Sequence, residues 1–259
     1  MTYENTALDI DLRGVAYVTL DRAEKHNALS AKMIGELDDI AGKLVADPDV
    51  RVVVLQANGR SFCAGGDLGW MKEQMQASRS TRIAEAGKLA KMLHVWNTLP
   101  KPVIGRVEGN AFGGGVGLVS ICDIAFCSEN VKFGLTETRL GLIPATISPY
   151  VSARMGEGKM REVAMSARLF GAQRAKELNL VSGVFENLDD VIEAEVAAYL
   201  QTAPQAVAAT KELIRSLGPK IDADVIAATI ERLADTWENA EAMEGIGAFF
   251  EKRKADWVV

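Results

Sequence analysis

The chain is organised around Gly109-Asn110-Ala111-Phe112-Gly113-Gly114-Gly115-Val116-Gly117-Leu118-Val119-Ser120-Ile121-Cys122-Asp123 and the nearby Phe133-Gly134-Leu135-Thr136-Glu137. A short apolar strand pattern, Val103 to Val107, enters the glycines, and an apolar segment leaves them. Glycine lets a ligand approach the main chain closely. If a helix starts at Gly114, its first N–H groups lack intrahelical partners and favour negative charge. Glu137 sits among Leu135, Leu140 and Leu142. Such neighbours would desolvate a carboxyl and raise its pKa, as a proton-transfer group requires. The stretch suggests a place that stabilises negative charge beside one acid; the plain alternative for Glu137 is a solvated surface charge on a turn.

A second loop of small residues, Cys63-Ala64-Gly65-Gly66, follows the strand pattern Arg51 to Gln56 and the turn Asn58-Gly59-Arg60. A helix is expected from about Asp67. Two helix-start N–H groups converging on one oxygen would make an oxyanion hole. The plain alternative is that these glycines serve tight turns and helix packing. A dinucleotide site is disfavoured, because the G-x-G-x-x-G spacing is not matched.

Outward from these loops the chain alternates strand and helix patterns. Ala7 to Leu20 reads as a hairpin turning at Gly14. Ser30 is placed to cap a helix carrying Met33, Leu37, Ile40 and Leu44. Asp67 to Trp96 reads mostly as helix, weakly specified from Gln76 to Thr81. Strand patterns recur at Ile124–Cys127, Val131–Phe133 and Leu180–Phe185. Val191–Leu200, Pro204–Leu217 and Asp222–Phe250 read as three amphipathic helices. Strands are thus expected before about residue 186 and only helices after about 190. That shift divides the chain into a core, residues 1–190, and a helical region, residues 191–259.

The 259 residues, 48% of them hydrophobic, suffice for a sizeable core. A net charge of −6 and the lack of a basic block argue against nucleic acid as a partner. No secretory leader and no run of about 18 apolar residues is seen, so neither export nor a membrane span is expected. Cys63, Cys122 and Cys127 have no framework spacing, and a cytoplasmic location with reduced thiols is the expectation. Two histidines and no CxxC pair make a metal site an unexpected feature. His94 reads as structural. Ser120 has no evident His partner for a nucleophilic role, and neither has Cys63.

Ser61-Phe62-Cys63-Ala64-Gly65-Gly66-Asp67-Leu68, Pro102 through Gly115, Cys122-Asp123 and Phe133-Gly134 before Glu137 resemble the crotonase (enoyl-CoA hydratase/isomerase) superfamily. Phe249 to Ala255 is similar to that family's C-terminus. The resemblance runs in order along essentially the whole chain. It implies an α/β fold, a spiral of ββα units with a C-terminal helical oligomerisation region. It also implies a homotrimer or a dimer of trimers, with no permanently bound cofactor and a coenzyme A thioester as substrate.

Carried over residue by residue, the resemblance makes the N–H groups of Gly66 and Gly114 the oxyanion donors and Glu137 the acid–base group. It implies contacts from Lys25 and Lys252 to CoA phosphates. Cys63 and Ala64 would face the adenine end, and Leu68, Trp70 and Phe249 the substrate. For Lys25 and Trp70 the plain alternatives are a solvated surface cation and ordinary core packing.

Family hydratases carry a second carboxylate where this chain has Gly117. That variant, with Glu137-Thr138-Arg139-Leu140-Gly141-Leu142-Ile143-Pro144 following, resembles bacterial methylglutaconyl-CoA hydratases of leucine breakdown. The substrates of those enzymes bear a second carboxylate. The expectation is that space left at Gly117 admits that carboxylate or a water it holds. The implied reaction is hydration of a 2-enoyl-CoA. The alternatives are an isomerase using Glu137 alone and a catalytically silent CoA-binding subunit.

Overall fold

The computed structural model describes residues 3–259. Ten strands are present: β1 (Thr6–Ile10), β2 (Val15–Leu20), β3 (Val52–Ala57), β4 (Ser61–Cys63), β5 (Val103–Val107), β6 (Asn110–Phe112), β7 (Ile124–Ser128), β8 (Lys132–Gly134), β9 (Phe170–Gly171) and β10 (Gly183–Phe185). The helices of the first half are α1 (Ala31–Ala46), α2 (Leu68–Gln76), α3 (Arg79–Thr98) and α4 (Gly114–Ser120). Those of the second half are α5 (Ser148–Met155), α6 (Glu157–Ala164), α7 (Ala172–Glu177), α8 (Asp189–Leu200), α9 (Pro204–Leu217), α10 (Ala223–Trp237) and α11 (Ala240–Glu251).

From β3 to β8 the strands alternate between two sheets. The larger has the order β1-β2-β3-β5-β7-β10 and the smaller β4-β6-β8-β9. Each of these turns places one strand in the large sheet, the next in the small sheet, and then a helix: β3-β4-α2, β5-β6-α4 and, after a short connection, β7-β8-α5. This is the spiral of ββα units. β4, β6 and β8 are mutually parallel, with Cys63 beside Ala111 and Ala111 beside Phe133. The segments leaving these three strands therefore emerge side by side.

Local chemistry explains the elements. The buried run Val52–Leu55 suits an inner strand flanked by β2 and β5. Ser30 caps α1 by accepting from the N–H of Met33 at 3.2 Å. Met33, Leu37, Ile40 and Leu44 bury their side chains as a helical stripe. The Trp96 indole donates to the Leu37 carbonyl at 2.9 Å, fastening α3 to α1.

Three expectations need correction. β4 and β6 were not expected as strands, because three residues are too few to display an alternation. The long helix expected from Asp222 to Phe250 is two helices, broken where Glu238 ends α10 and extended Asn239 starts α11. The break lets α11 fold back onto the loop that carries Glu137, where Gly245 packs against Leu140. The weakly specified segment near Ala77 is likewise a break. Ala77 is extended, and Ser78 caps α3 through the N–H of Thr81.

The boundary expected near residue 190 crosses continuous packing. Leu188, Ile192 and Val196 share a core with Val15, Val52, Val54, Ile104 and Phe126 of the large sheet. α10 and α11 form a separate cluster with the site, through Trp237, Ala242 and Ile246 against Met71 and Leu142. Among the described residues no helix is long and apolar enough to cross a membrane.

Candidate active site

The exits of β4, β6 and β8 meet around a cavity of about 340 Å³. Gly66, Gly114 and Glu137 all line it. Each lies just past the end of its strand, so three successive turns of the spiral deliver the three groups to one place.

Among the described residues the N–H groups of Gly66 and Gly114 are both without a main-chain partner. Leu29 bridges to Gly66 as a parallel pair, but the bridge uses the Gly65 carbonyl, which accepts from Leu29 at 2.7 Å, and the Asp67 N–H, which donates to Leu29 at 3.1 Å. The Gly66 N–H lies between them and is left over. Gly114 is the first residue of α4, so its N–H has no intrahelical acceptor.

The two loops touch. A Cβ on Gly65 would lie 3.8 Å from the Gly114 nitrogen and 3.1 Å from the Phe112 carbonyl oxygen. Gly65 and Gly113 hold φ values of +94° and +49°, which turn the chain so that the following N–H is presented.

The first loop is fixed from outside. Asp67 caps α2, accepting from Gly69 and Trp70 at 2.8 and 3.1 Å, and pairs with Arg22 at 2.6 Å. Burial works against the Asp67 carboxylate, but the Arg22 guanidinium and the helix N–H groups hold its pKa below the usual range. Asn27, fully buried, donates to the carbonyls of Asn58 and Ser61 and accepts from the N–H of Arg22. These bonds seat Leu29 beside Gly66.

Glu137 opens a short 3-10 turn after β8. One carboxyl oxygen lies 2.9 Å from where a Cβ on Gly113 would be, so Gly113 makes room for the acid. Its Oε2 is buried with no hydrogen-bond partner among the described residues. Desolvation by burial raises the pKa from 4.5 to about 7, against the opposing effect of the Glu137 and Thr136 N–H groups. An unpartnered acid titrating near neutrality can both give and take a proton. Among the described residues Glu137 is the only carboxylate lining the cavity.

The cavity walls are largely apolar: Leu29, Phe112, Leu142 and Ile147, with Trp70 and Met71 of α2, and Leu233, Trp237 and Phe249 from the C-terminal helices. The arrangement can bind an acyl chain, hold a carbonyl oxygen on two N–H groups and move a proton on a neighbouring atom.

Family membership now follows from comparison. The pattern described as enoyl-CoA hydratase/isomerase matches residues 11–258. The chain belongs to the enoyl-CoA hydratase/isomerase family.

It is similar to a crystal structure of an enoyl-CoA hydratase from Shewanella pealeana, with 38% identity, a TM-score of 0.82, and coverage of 98% of this chain and 96% of that one. It is 32% identical to the short-chain-enoyl-CoA hydratase of Clostridium acetobutylicum, covering 93% of each chain. It is 30% identical to the (E)-benzylidenesuccinyl-CoA hydratase of Thauera aromatica, over 76% of this chain and 77% of that one. The ββα spiral is the crotonase fold of these structures.

Of the expected substrate contacts, Ala64, Leu68, Trp70 and Phe249 line the cavity. Two others need correction. Cys63 is fully buried, its carbonyl packed against Gly115, and burial pushes its thiol up to about 12. It presents nothing to a ligand.

Gly117 leaves no vacancy. A Cβ there would lie 2.4 Å from Cγ2 of Ile147, which itself forms the cavity wall. Lys25 lies outside the cavity lining, exposed on the segment whose next residue, His26, accepts from the N–H of Ala64 at 3.0 Å. Lys252 is also outside the lining, capping α11 in the left-handed region. Sequence reasoning missed Leu29, Leu233, Trp237 and Arg139. The first three come from distant elements and carried no local signal. Arg139 stands two residues from Glu137 and was legible as a charge in an apolar turn.

Proposed function

We propose that this chain hydrates the double bond of a 2-enoyl-CoA. The observation that carries the reading is the convergence of two unpartnered N–H groups, Gly66 and Gly114, with a buried acid whose pKa is raised to about 7. Water adds to the β-carbon while Glu137 takes its proton. The electron pair of the double bond moves onto the thioester oxygen, held by the two N–H groups. The enolate then collapses, and its α-carbon takes the proton back from Glu137. Each preorganised donor is worth roughly 3–4 kcal/mol to such a step.

The substrate is a coenzyme A thioester, and the enzyme needs no resident cofactor. Lys25 and Lys252 remain the proposed phosphate contacts. We read the acyl group as a branched dicarboxylic one of the methylglutaconyl type, which would place the enzyme in leucine breakdown. The resemblance around Glu137 supports this. So does the Thauera relative, named for a benzylidenesuccinyl thioester, since a succinyl monothioester has a free carboxylate.

One observation favours a second reading. With Ile147 filling the space at Gly117, Glu137 stands as the lone carboxylate of the cavity. A single acid suffices to shuttle a proton between carbons, which is enoyl-CoA isomerisation. Incubation with matched 2-enoyl and 3-enoyl thioesters separates the readings. A product heavier by one water supports hydration. A shifted double bond without mass change supports isomerisation.

The assembly we propose is a homotrimer or a dimer of trimers, with residues 191–259 supplying contacts. α9 buries none of its side chains in the monomer, and Leu213, Ile214 and Leu217 are exposed along it. We place the protein in the cytoplasm, in keeping with three unpaired cysteines.

A further inference from the structure

Arg139 belongs to the same short turn as Glu137 and lines the same cavity. Among the described residues it is the only cation in the lining, as Glu137 is the only anion. Its guanidinium has no ion pair and no hydrogen bond among the described residues. Arg22 is engaged with Asp67, Arg174 with Glu162 and Glu177, and Arg253 with Glu244, whereas Arg60, Arg168, Arg215 and Arg232, which also lack such partners, lie outside the cavity lining. Arg139 is instead exposed at the edge of an apolar cavity. A second donor is also idle there. The indole Nε1 of Trp70 is buried with no partner, on a residue lining the cavity.

An apolar pocket with one unpaired guanidinium at its rim and one idle N–H in its wall suits an acyl chain ending in an anion. A planar guanidinium matches a carboxylate through two parallel hydrogen bonds. Electrostatics point the same way. A substrate carboxylate near Glu137 would otherwise meet a like charge whenever Glu137 is ionised, and a cation in the same cavity offsets that repulsion.

We propose that Arg139 is the specificity-determining residue, recognising a carboxylate at the far end of the acyl chain and so selecting dicarboxylic monothioesters. This rests on the acyl-CoA reading above but not on the choice between hydration and isomerisation. Trp70 Nε1 contributes a neutral donor to the same anion or to a water bound to it.

The test compares glutaconyl-CoA with 2-pentenoyl-CoA, equal in chain length and differing in the terminal carboxylate. The wild type is expected to favour glutaconyl-CoA. In Arg139→Gln the ratio of kcat/KM for glutaconyl-CoA over 2-pentenoyl-CoA falls about ten- to a hundredfold, the worth of hydrogen bonds to a charged group. Arg139→Lys recovers part of it. Equal losses on both substrates would overturn the proposal, because Arg139 would then serve the CoA moiety or the turn itself.

Calorimetry with the saturated pair, glutaryl-CoA and pentanoyl-CoA, reads the same selectivity without turnover. Equal affinities in the wild type overturn the proposal whatever the chemistry. A glutaryl preference lost in Arg139→Gln sustains it even if the enzyme proves to be an isomerase.

Discussion

Ile147 stands in the space that a side chain at position 117 would need: a Cβ on Gly117 would meet its Cγ2 at 2.4 Å and its Cβ at 3.0 Å. The absence of a second carboxylate is therefore built into the packing between α4 and the start of α5. It is not an empty slot. Gly117→Ala is expected to destabilise the protein by about 1–3 kcal/mol through overpacking. Ile147→Ala in the same chain removes the Cγ2 clash and should restore part of the loss. Thermal unfolding of the three variants measures this. A single variant as stable as wild type would mean that Ile147 moves aside freely.

Gly66 and Gly114 separate the role of the N–H from that of the missing side chain. A Cβ on Gly66 has its nearest neighbours in Met71 at 3.8 Å and Trp70 at 4.0 Å, so Gly66→Ala should fold and keep its N–H. Gly66→Pro removes that N–H. The proline variant is expected to lose about 10²–10³ in kcat relative to the alanine variant. Similar kcat in the two would place the carbonyl elsewhere. At Gly114 a Cβ would meet Leu29 Cδ1 at 2.7 Å, the end of a flexible side chain, so Gly114→Ala should raise KM by displacing Leu29 from the wall.

The titration of Glu137 couples activity and stability to pH. Its carboxyl has a pKa of 4.5 when unfolded and about 7 when folded. Between those values the unfolded chain releases the proton and the native protein keeps it. Stability therefore falls as pH rises from about 4.5 to 7 and is level on either side. The size is roughly 3 kcal/mol.

Glu137→Gln lacks this dependence, so its stability advantage over wild type should grow with pH across that window and then level off. The same substitution should cost about 10²–10⁴ in kcat while acyl-CoA binding persists. Because water addition uses the carboxylate form, wild-type kcat/KM is expected to fall as the pH drops below about 7. A retained kcat in Glu137→Gln would sink the catalytic role.

Gly141 joins the Glu137 turn to α11. It holds φ at +68°, and a Cβ there would come within 2.3 Å of the Glu241 carbonyl oxygen. Gly141→Ala is expected to push α11 away from the turn, lowering stability by roughly 1–3 kcal/mol and reducing kcat together with it. A stability loss without a change in kcat would show that α11 does not position Glu137.

The exposed stripe of α9 bears on assembly. Replacing Leu213, Ile214 and Leu217 by serine removes apolar surface that nothing in the monomer covers. Light scattering should then report a smaller species than the trimer or hexamer proposed for the wild type. An unchanged mass would move the interface to another surface.

Much of this protein was legible in the chain itself. The elements follow from periodic burial, from Ser30 at a helix start and from the switch to helices after Phe185, because these signals act over a few residues. Gly66, Gly114 and Glu137 were singled out through the family resemblance, because local composition alone left tight turns and a solvated charge as open readings; the fold brings all three to one cavity. What the sequence could not display were contacts made over long separations. The strands β4 and β6 exist only because they lie against each other and β8. Trp237 reaches the cavity only because α10 packs back against Met71 of α2. Gly117 looked like a vacancy because the resemblance implies a carboxylate at that position, whereas its neighbour in the fold is Ile147, thirty residues on. Periodicity fixes which face of an element is apolar. Only close packing between distant elements decides what fills the space that a small residue leaves.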